Sequence, residues 1–195
     1  MKNNRKVLLE QIGITKKEEE IWLGEWDNIS ENMQLSEEFI REFKDEVNWF
    51  SISLHQELSE KFIREFENCV HWKYISAKQL LSESFIREYQ IMVDWKFIME
   101  RQKLSYEFIH EFENNIDWAW VSEYGKSSID FLLEFQNRID WEIYFSRQSA
   151  CYQIIKQFIF KTSHRSVRSI KTFHLTTNQK NEIEKLLRLK YLFAE

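Results

Sequence analysis

The chain has 195 residues, of which 43% are hydrophobic and 16% aromatic, so a disordered chain is excluded and one domain with a sizeable core is allowed. It has no proline and only three glycines, which excludes an all-β fold and favours helices. The net charge of −5 is unevenly spread. Residues 1–155 carry 18 Lys/Arg against 29 Asp/Glu, a net of −11, whereas residues 156–190 carry nine against two, a net of +7.

The apolar runs are short and broken by charges, so we expect no membrane-spanning segment. The N-terminus lacks the long apolar stretch of a signal peptide. The two cysteines are too few for a disulfide framework. These features predict a location in the cytoplasm or another reducing compartment.

Residues 1–25 are predicted to form an N-terminal helical cap. The repeat that begins after them has apolar core positions, and these positions become polar when the motif is shifted back into the cap. They fall on Lys16, Lys17 and Glu20. Such polar replacement is expected of a terminal capping unit. Thr15 and Glu18 have the spacing of a capping box.

Residues 26–149 contain a repeat of 23 residues. Tryptophan recurs at this interval at Trp26, Trp49, Trp72, Trp95, Trp118 and Trp141. The motif FIREF recurs in step with it, changing to FIREY, FIHEF and FLLEF in later copies. The predicted core consists of the tryptophans together with Phe39, Phe43, Phe62, Phe66, Phe85, Phe108, Phe112, Phe131 and Phe135.

Each copy predicts two helices. Ser36 is a good N-cap for the first, and Glu37 and Glu38 suit the positive end of that helix. The residue before tryptophan is mostly Asn or Asp, which predicts the cap of a second helix. Lengths of about 11 residues and about 6–8 residues, with a tight corner, would fill the repeat.

No copy can bury its own tryptophan, phenylalanine and isoleucine, whereas stacked copies can. The sequence therefore predicts an all-α fold, an α-solenoid of about six 23-residue helix-turn-helix repeats with divergent terminal caps.

The pattern LSEEFIREF…DW..IS resembles that of short-repeat proteins encoded by large DNA viruses, including those of amoebae, and by some phages. The resemblance covers about residues 26–148. It implies a helical repeat with an interaction role in a host cell or virion, and it implies no catalytic residues.

Residues 150–195 are predicted to continue the same domain as a degraded last repeat, CYQIIKQFIF, followed by a basic segment and an amphipathic helix. The apolar face of that helix would consist of Ile183, Leu186, Leu187 and Phe193. Cations interleaved with aromatic residues are typical of nucleic-acid binding. The cations in question are Lys161, Arg165, Arg168 and Lys171. The alternative is a basic cap that docks on the acidic repeats or solubilises the end of the repeat.

Two sets of residues are candidates for partner binding. Arginine recurs at Arg41, Arg64 and Arg87 on the side of the first helix that faces away from the core. It forms either a charged stripe that contacts a partner or an arginine–glutamate ladder between successive copies. The second position after tryptophan carries Tyr74, Phe97 and Trp120. These form either an exposed aromatic stripe or packing against the other helix layer.

The sequence contains no recognisable metal, phosphate-loop or nucleophile motif, so we expect no enzyme activity, cofactor or metal site. The leading hypothesis is a non-enzymatic scaffold that presents a repetitive surface to a protein partner. The alternatives are nucleic-acid binding through residues 156–190 and self-assembly into a homo-oligomer. On the leading hypothesis, replacing the three arginines by alanine weakens partner binding and leaves melting nearly unchanged.

Overall fold

The computed structural model describes residues 2–14, 25–125, 127–147, 151–161 and 175–192, which form helices, turns and loops. The chain divides into two compact units, Met1–Leu104 and Ser105–Glu195. Unit 1 contains α1 (Lys2–Gln11), α2 (Trp26–Asn32), α3 (Glu37–Glu42), α4 (Trp49–His55), α5 (Glu60–Glu65), α6 (Trp72–Lys78), α7 (Glu83–Glu88) and α8 (Trp95–Arg101). Unit 2 contains α9 (Tyr106–Glu111), α10 (Trp118–Tyr124), α11 (Ile129–Glu134), α12 (Trp141–Arg147), α13 (Tyr152–Phe158) and α14 (Thr177–Leu192).

The short helices follow the predicted repeat. Helices that begin at tryptophan pack on the equivalent helix of the next copy, α2 on α4, α4 on α6 and α6 on α8 in unit 1, and α10 on α12 in unit 2. The all-α prediction and the 23-residue helical period are confirmed. Among the described residues, no helix combines the length and the apolar character that crossing a bilayer requires.

Serine begins the first helix of each copy, as predicted. In α3 the Oγ of Ser36 accepts a hydrogen bond from the Phe39 N–H at 3.1 Å, and the same bond recurs in α5, α7, α9 and α11. We call these the serine-capped helices. Their partners are the tryptophan helices, which an Asn or Asp side chain caps in α4, α8, α10 and α12. His71, which precedes α6, makes no such bond.

The predicted length of about 11 residues for the first helix is wrong, because the serine-capped helices span only six. In the first copy, α3 ends at Glu42 with Phe43 as its C-cap, and the chain then turns so that the Val47 N–H bonds to the Phe43 carbonyl at 3.0 Å. The indole Nε1 of Trp49 donates to the Lys44 carbonyl of this turn at 3.0 Å. The indole thus replaces the partner that a longer helix would have supplied.

The aromatic core forms between successive copies. The ring of Trp49 packs 4.9 Å from that of Phe66 and 6.3 Å from that of Phe62, both in the copy that follows. The same displacement recurs within each unit: Trp26 packs on Phe39 and Phe43, Trp72 on Phe85 and Tyr89, Trp118 on Phe131 and Phe135, and Trp141 on Phe158.

A serine four positions after tryptophan links neighbouring copies. Ser53 Oγ donates to the Trp49 carbonyl at 2.7 Å and accepts from the His71 N–H of the next copy at 2.9 Å. Ser76 and Ser122 make the same pair of bonds one and three copies later. The hydroxyl therefore joins the first turn of one tryptophan helix to the start of the next.

A glutamine seven positions after tryptophan makes a second link in unit 1. The amide of Gln79 accepts from the Leu58 N–H at 3.0 Å and donates to the Gln56 carbonyl at 2.8 Å. Gln56 and Gln102 bond to the preceding copy in the same way. Gly125 stands at the matching position after Trp118 and has no amide side chain to extend the ladder, whereas the matching residue after Trp141, Gln148, lies outside the described residues.

Helix α1 covers the first serine-capped helix of unit 1. Arg5 lies 3.9 Å from a Glu42 carboxylate oxygen, and its guanidinium sits 4.3 Å from the centre of the Phe43 ring. Gly13, with φ of 85°, ends α1 in a left-handed turn that L side chains rarely adopt. The predicted polar replacements and capping box at residues 15–20 lie outside the described residues.

The predicted degraded repeat forms α13 in unit 2, and the last helix packs on it. Lys156 on α13 pairs with Glu182 on α14 at 2.8 Å, and Tyr152 donates a hydrogen bond to the same carboxylate. Ile183 is buried. On the predicted apolar face, Leu186 and Leu187 are half-buried, whereas Phe193 lies outside the described residues.

The glutamine ladder predicts a large cost for removing one amide. Gln79→Ala leaves the buried Leu58 N–H and the Gln56 carbonyl without their partner, so the free energy of unfolding should fall by about 2–4 kcal/mol. Urea unfolding followed by circular dichroism measures this. The exposed Gln90 provides the matched control, because Gln90→Ala should change stability by less than about 0.5 kcal/mol. Equal losses in the two variants would contradict the ladder's role.

Candidate functional site

The recurring arginines of unit 1 lie between successive serine-capped helices. Arg41 on α3 donates through Nε to Glu65 on α5 at 2.7 Å. One copy later, Arg64 donates through Nε to Glu88 at 2.9 Å. Each guanidinium also reaches a glutamate one turn earlier in its own helix, at 3.4 Å in α3 and 3.8 Å in α5. We call this set of bonds the arginine–glutamate ladder.

The guanidinium groups also cover aromatic rings of the next copy. That of Arg41 lies 4.9 Å from the centre of the Phe62 ring, and that of Arg64 lies 4.8 Å from that of Phe85. About a third of each arginine side chain stays exposed, 35% and 38% respectively. The arrangement therefore favours the ladder interpretation of these residues, while a contact with a partner through the exposed part stays a prediction.

The ladder shifts the pKa values of Arg41 and Glu37. The hydrogen bond to Glu65 raises the pKa of Arg41 above its usual value. Burial would raise the pKa of Glu37, but hydrogen bonds from Ser59 and the charge of Arg41 hold it below its usual range. One of those bonds runs from the Ser59 N–H to a Glu37 carboxylate oxygen at 2.7 Å, so Glu37 also contacts the following copy. Arg87 on α7 pairs with Glu83 at 3.8 Å.

In unit 2 a histidine takes the arginine position. His110 Nε2 lies 2.7 Å from Glu134 of the next copy, and its Nδ1 lies 2.8 Å from Glu113. The hydrogen bonds to Glu134 and then Glu113 raise the pKa of His110. One copy later the arginine position holds Leu133, and the glutamate position that would pair with it holds Gln157. The cation and the carboxylate are thus lost together at the end of the repeat.

The predicted aromatic stripe lies on the tryptophan helices, a different set of helices from the arginines. Tyr74 on α6 and Phe97 on α8 are half-buried in unit 1. Trp120 is half-buried on α10 in unit 2 and lies 5.9 Å from the Tyr124 ring. The side chains are therefore partly accessible, and neither full exposure nor full packing describes them.

Phe50 is a member of this surface that the predicted set omits. Its ring is 42% exposed and meets Tyr74 edge to face at 4.8 Å and His71 at 5.5 Å. It stands one position after tryptophan, where the other copies carry Asp, Lys, Ala or Glu. A helical wheel places this position beside the predicted stripe, so the wheel could have included it.

Of the residues predicted for nucleic-acid binding, Lys161 is exposed at the end of the 3-10 turn Ile159–Lys161. Arg165, Arg168 and Lys171 lie outside the described residues. Cys69 and Cys151 are exposed free thiols. Within the described ranges, no three His, Cys, Asp or Glu side chains converge as ligands for a metal ion.

Comparison with protein-family models, with curated proteins and with solved structures gives no match for this chain.

The ladder predicts a measurable coupling between Arg64 and Glu88. Both side chains are more than a third exposed, so solvent screening limits the coupling to about 0.3–1 kcal/mol. A double-mutant cycle with Arg64→Ala and Glu88→Ala, read by urea unfolding, measures it. The same cycle with Lys61→Ala in place of Arg64→Ala should give no coupling. A coupling energy of zero in the Arg64 cycle would contradict a stabilising role for the ladder.

His110 predicts a pH dependence that an arginine would lack. Because its pKa is raised on folding, its contribution to stability is fully present below the unfolded value of about 6.5. The contribution disappears as the pH rises through the higher folded pKa. The stability difference between the wild type and His110→Gln should therefore shrink with rising pH, as measured by urea unfolding from about pH 6 to 9. His110→Arg should have a higher free energy of unfolding than His110→Gln at every pH in this range. If the free energies of unfolding of all three proteins change with pH in parallel, the role of His110 in the ladder is refuted.

Proposed function

We propose that this protein is a non-enzymatic interaction scaffold, an α-solenoid of about six 23-residue helix-turn-helix repeats that presents a repetitive surface to a protein partner. The observation that carries the proposal is that the positions of the repeat fall into two classes, one that links copies and one that faces outward. Most positions that bond one copy to the next keep their residue type over several copies, whereas outward positions of the tryptophan helices change from copy to copy.

The constant positions are those of the core and the ladders. Tryptophan recurs in every copy, and the glutamine seven positions later recurs in three successive copies of unit 1. A stacked array needs these contacts at every step, so they restrict the residues that each copy can use. Such uniformity supports a structural role for these positions and leaves recognition to others.

The variable positions support recognition of a partner. The residue two positions after tryptophan is Asn28, Ser51, Tyr74, Phe97, Trp120 and Ile143 in successive copies. A surface that changes along the array can hold a partner in one register, and aromatic residues are the side chains that most often dominate such contacts. We therefore assign partner binding to Tyr74 and Phe97 in unit 1 and to Trp120 in unit 2, and we include the exposed parts of Arg41, Arg64 and Arg87 as further contacts.

The resemblance to short-repeat proteins of large DNA viruses supports the same function and directs the search for a partner to viral proteins and to proteins of the infected cell. Nucleic-acid binding through residues 156–190 is the second candidate, and the net charge of +7 in that range favours it. Self-assembly is the third candidate, since the ends of stacked repeats can associate.

Capture of the tagged full-length protein from its native cells, with and without nuclease, tests the proposal. We expect a defined protein that survives nuclease treatment and whose recovery falls about tenfold when Tyr74→Ala and Phe97→Ala are combined. Arg41→Ala, Arg64→Ala and Arg87→Ala together should also reduce recovery. The matched control removes three other exposed cations of unit 1, with Lys44→Ala, Lys61→Ala and Lys103→Ala.

Other outcomes would point away from the scaffold. Material lost on nuclease treatment would indicate the basic segment as the functional site. Capture of further copies of the same chain, together with sedimentation that depends on protein concentration, would indicate self-assembly. Circular dichroism and melting of each variant separate loss of a binding surface from loss of the fold.

A further inference from the structure

Two neighbouring tryptophan helices of unit 1 carry a cluster of positive charge on a chain whose first 155 residues are acidic. Helix α6 carries two lysines and no acidic residue, and α8 carries a lysine, an arginine and one glutamate. The two helices pack side by side. All four cations are exposed: Lys73, Lys78, Lys96 and Arg101. We call the surface that they form with Tyr74 and Phe97 the cationic face.

Helical geometry places these side chains on one side of each helix. Positions one, two and six after tryptophan fall between roughly 100° and 240° around the helix when tryptophan is at 0°. The buried residues of the same helices, Ile75 and Ser76 in α6 and Ile98 in α8, come three and four positions after tryptophan. They point to the opposite side, so the cationic face looks outward from the packed core.

Ring contacts connect the face across three helices. Phe50 on α4 meets Tyr74 on α6 edge to face, with an interplanar angle of 75°. The ammonium of Lys73 lies 6.0 Å from the centre of the Phe97 ring on α8. The face is therefore a continuous surface of apolar rings and cations, with each ring held against a neighbour from the adjacent copy.

Charge changes in order along this surface. At the outward positions, α2 carries Asp27 and Glu31, α4 carries no carboxylate or lysine, and α6 and α8 carry the four cations together with Glu100, which lies 3.6 Å from Arg101. Since a bound chain would meet acid at one end and base at the other, only one orientation of an acidic ligand places its charges opposite the cations.

We propose that the cationic face binds an extended acidic peptide segment of a protein partner, whose carboxylates pair with Lys73, Lys78, Lys96 and Arg101 while an apolar side chain lies on Phe50. This inference rests on the proposed scaffold function and names the chemistry of its partner. Three adjacent helices at about 9 Å spacing span a distance that about six to eight extended residues would cover.

The ring geometry favours a peptide over single-stranded nucleic acid. Bases bind by stacking on open aromatic faces. Here Phe50 and Tyr74 pack edge to face, and Lys73 stands over the Phe97 ring. The acidic residues of α2 would also repel a polyphosphate that ran farther along the array.

Fluorescence anisotropy with the full-length protein tests the inference. The probe is a fluorescein-labelled peptide of about eight residues that contains one phenylalanine followed by glutamate and aspartate. The expected result is saturable binding that weakens with salt, and about tenfold or greater loss when Lys73→Ala, Lys78→Ala and Lys96→Ala are combined. The matched control, Lys44→Ala with Lys61→Ala and Lys103→Ala, makes the same change in net charge within unit 1 and should bind as the wild type does.

Three outcomes would overturn the inference: no binding to the wild type, equal loss in both triple variants, or tighter binding of a thymidine oligonucleotide of the same length. The capture experiment tests the proposed scaffold function separately from the cationic face. If the partner is recovered equally well with the variant that combines Lys73→Ala, Lys78→Ala and Lys96→Ala, the proposed scaffold function stands. The cationic face is then not the surface that binds the partner.

Discussion

Within each unit, the rings of the repeated tryptophans pack on the copy that follows them, and the rest of the structure depends on this displacement. Trp49 begins its own helix yet packs on Phe62 and Phe66 of the next serine-capped helix. A single copy would expose both sides of this contact, so the core exists only where copies are adjacent. The helices of the repeat are six or seven residues long, too short to persist alone in water, and tertiary packing must stabilise them.

Apolar contact brings copies together, and buried polar groups fix their alignment. Gln79 is 6% exposed, and its amide bonds to two backbone groups of the preceding copy. A shift of one residue would leave the amide and both backbone groups without partners in the interior, at a cost of about 1–3 kcal/mol for each. The hydroxyl of Ser53 fixes the alignment of its copy with the next copy in the same way, because it bonds to a backbone group of each. These bonds therefore hold successive copies in one alignment, with each copy displaced by 23 residues from the last. Aromatic contacts alone would tolerate small shifts of one copy against the next.

The sequence predicted the period and the serine caps, because each recurs at a fixed interval and has a single physical interpretation. It also predicted a core of tryptophan and phenylalanine, but of the six repeated tryptophans only Trp141 is buried and the other five are half-buried. It mispredicted helix length because Val47 lies on the apolar side of the wheel and is buried, yet belongs to the turn after α3. The links through Ser53 and Gln79 also recur, but small polar residues are compatible with caps, loops or surface. Only coordinates show that their partners lie in the neighbouring copy. The arginines likewise allowed two interpretations until the distance from Arg41 to Glu65 was known.

The end of the ladder clarifies which surface is free to carry function. Leu133 replaces the cation and Gln157 replaces the carboxylate that would pair with it, so the two positions change together within one chain. Paired change is expected when residues serve each other, and an independent partner would give no reason for it. The serine-capped helices are thus constrained by contacts between copies. The tryptophan helices bury one to three positions each and leave the others free to differ, as Asp27, Phe50 and Lys73 do at one equivalent position. The partner-binding surface of this chain is therefore best sought on the tryptophan helices, at the outward positions where the copies carry different residues.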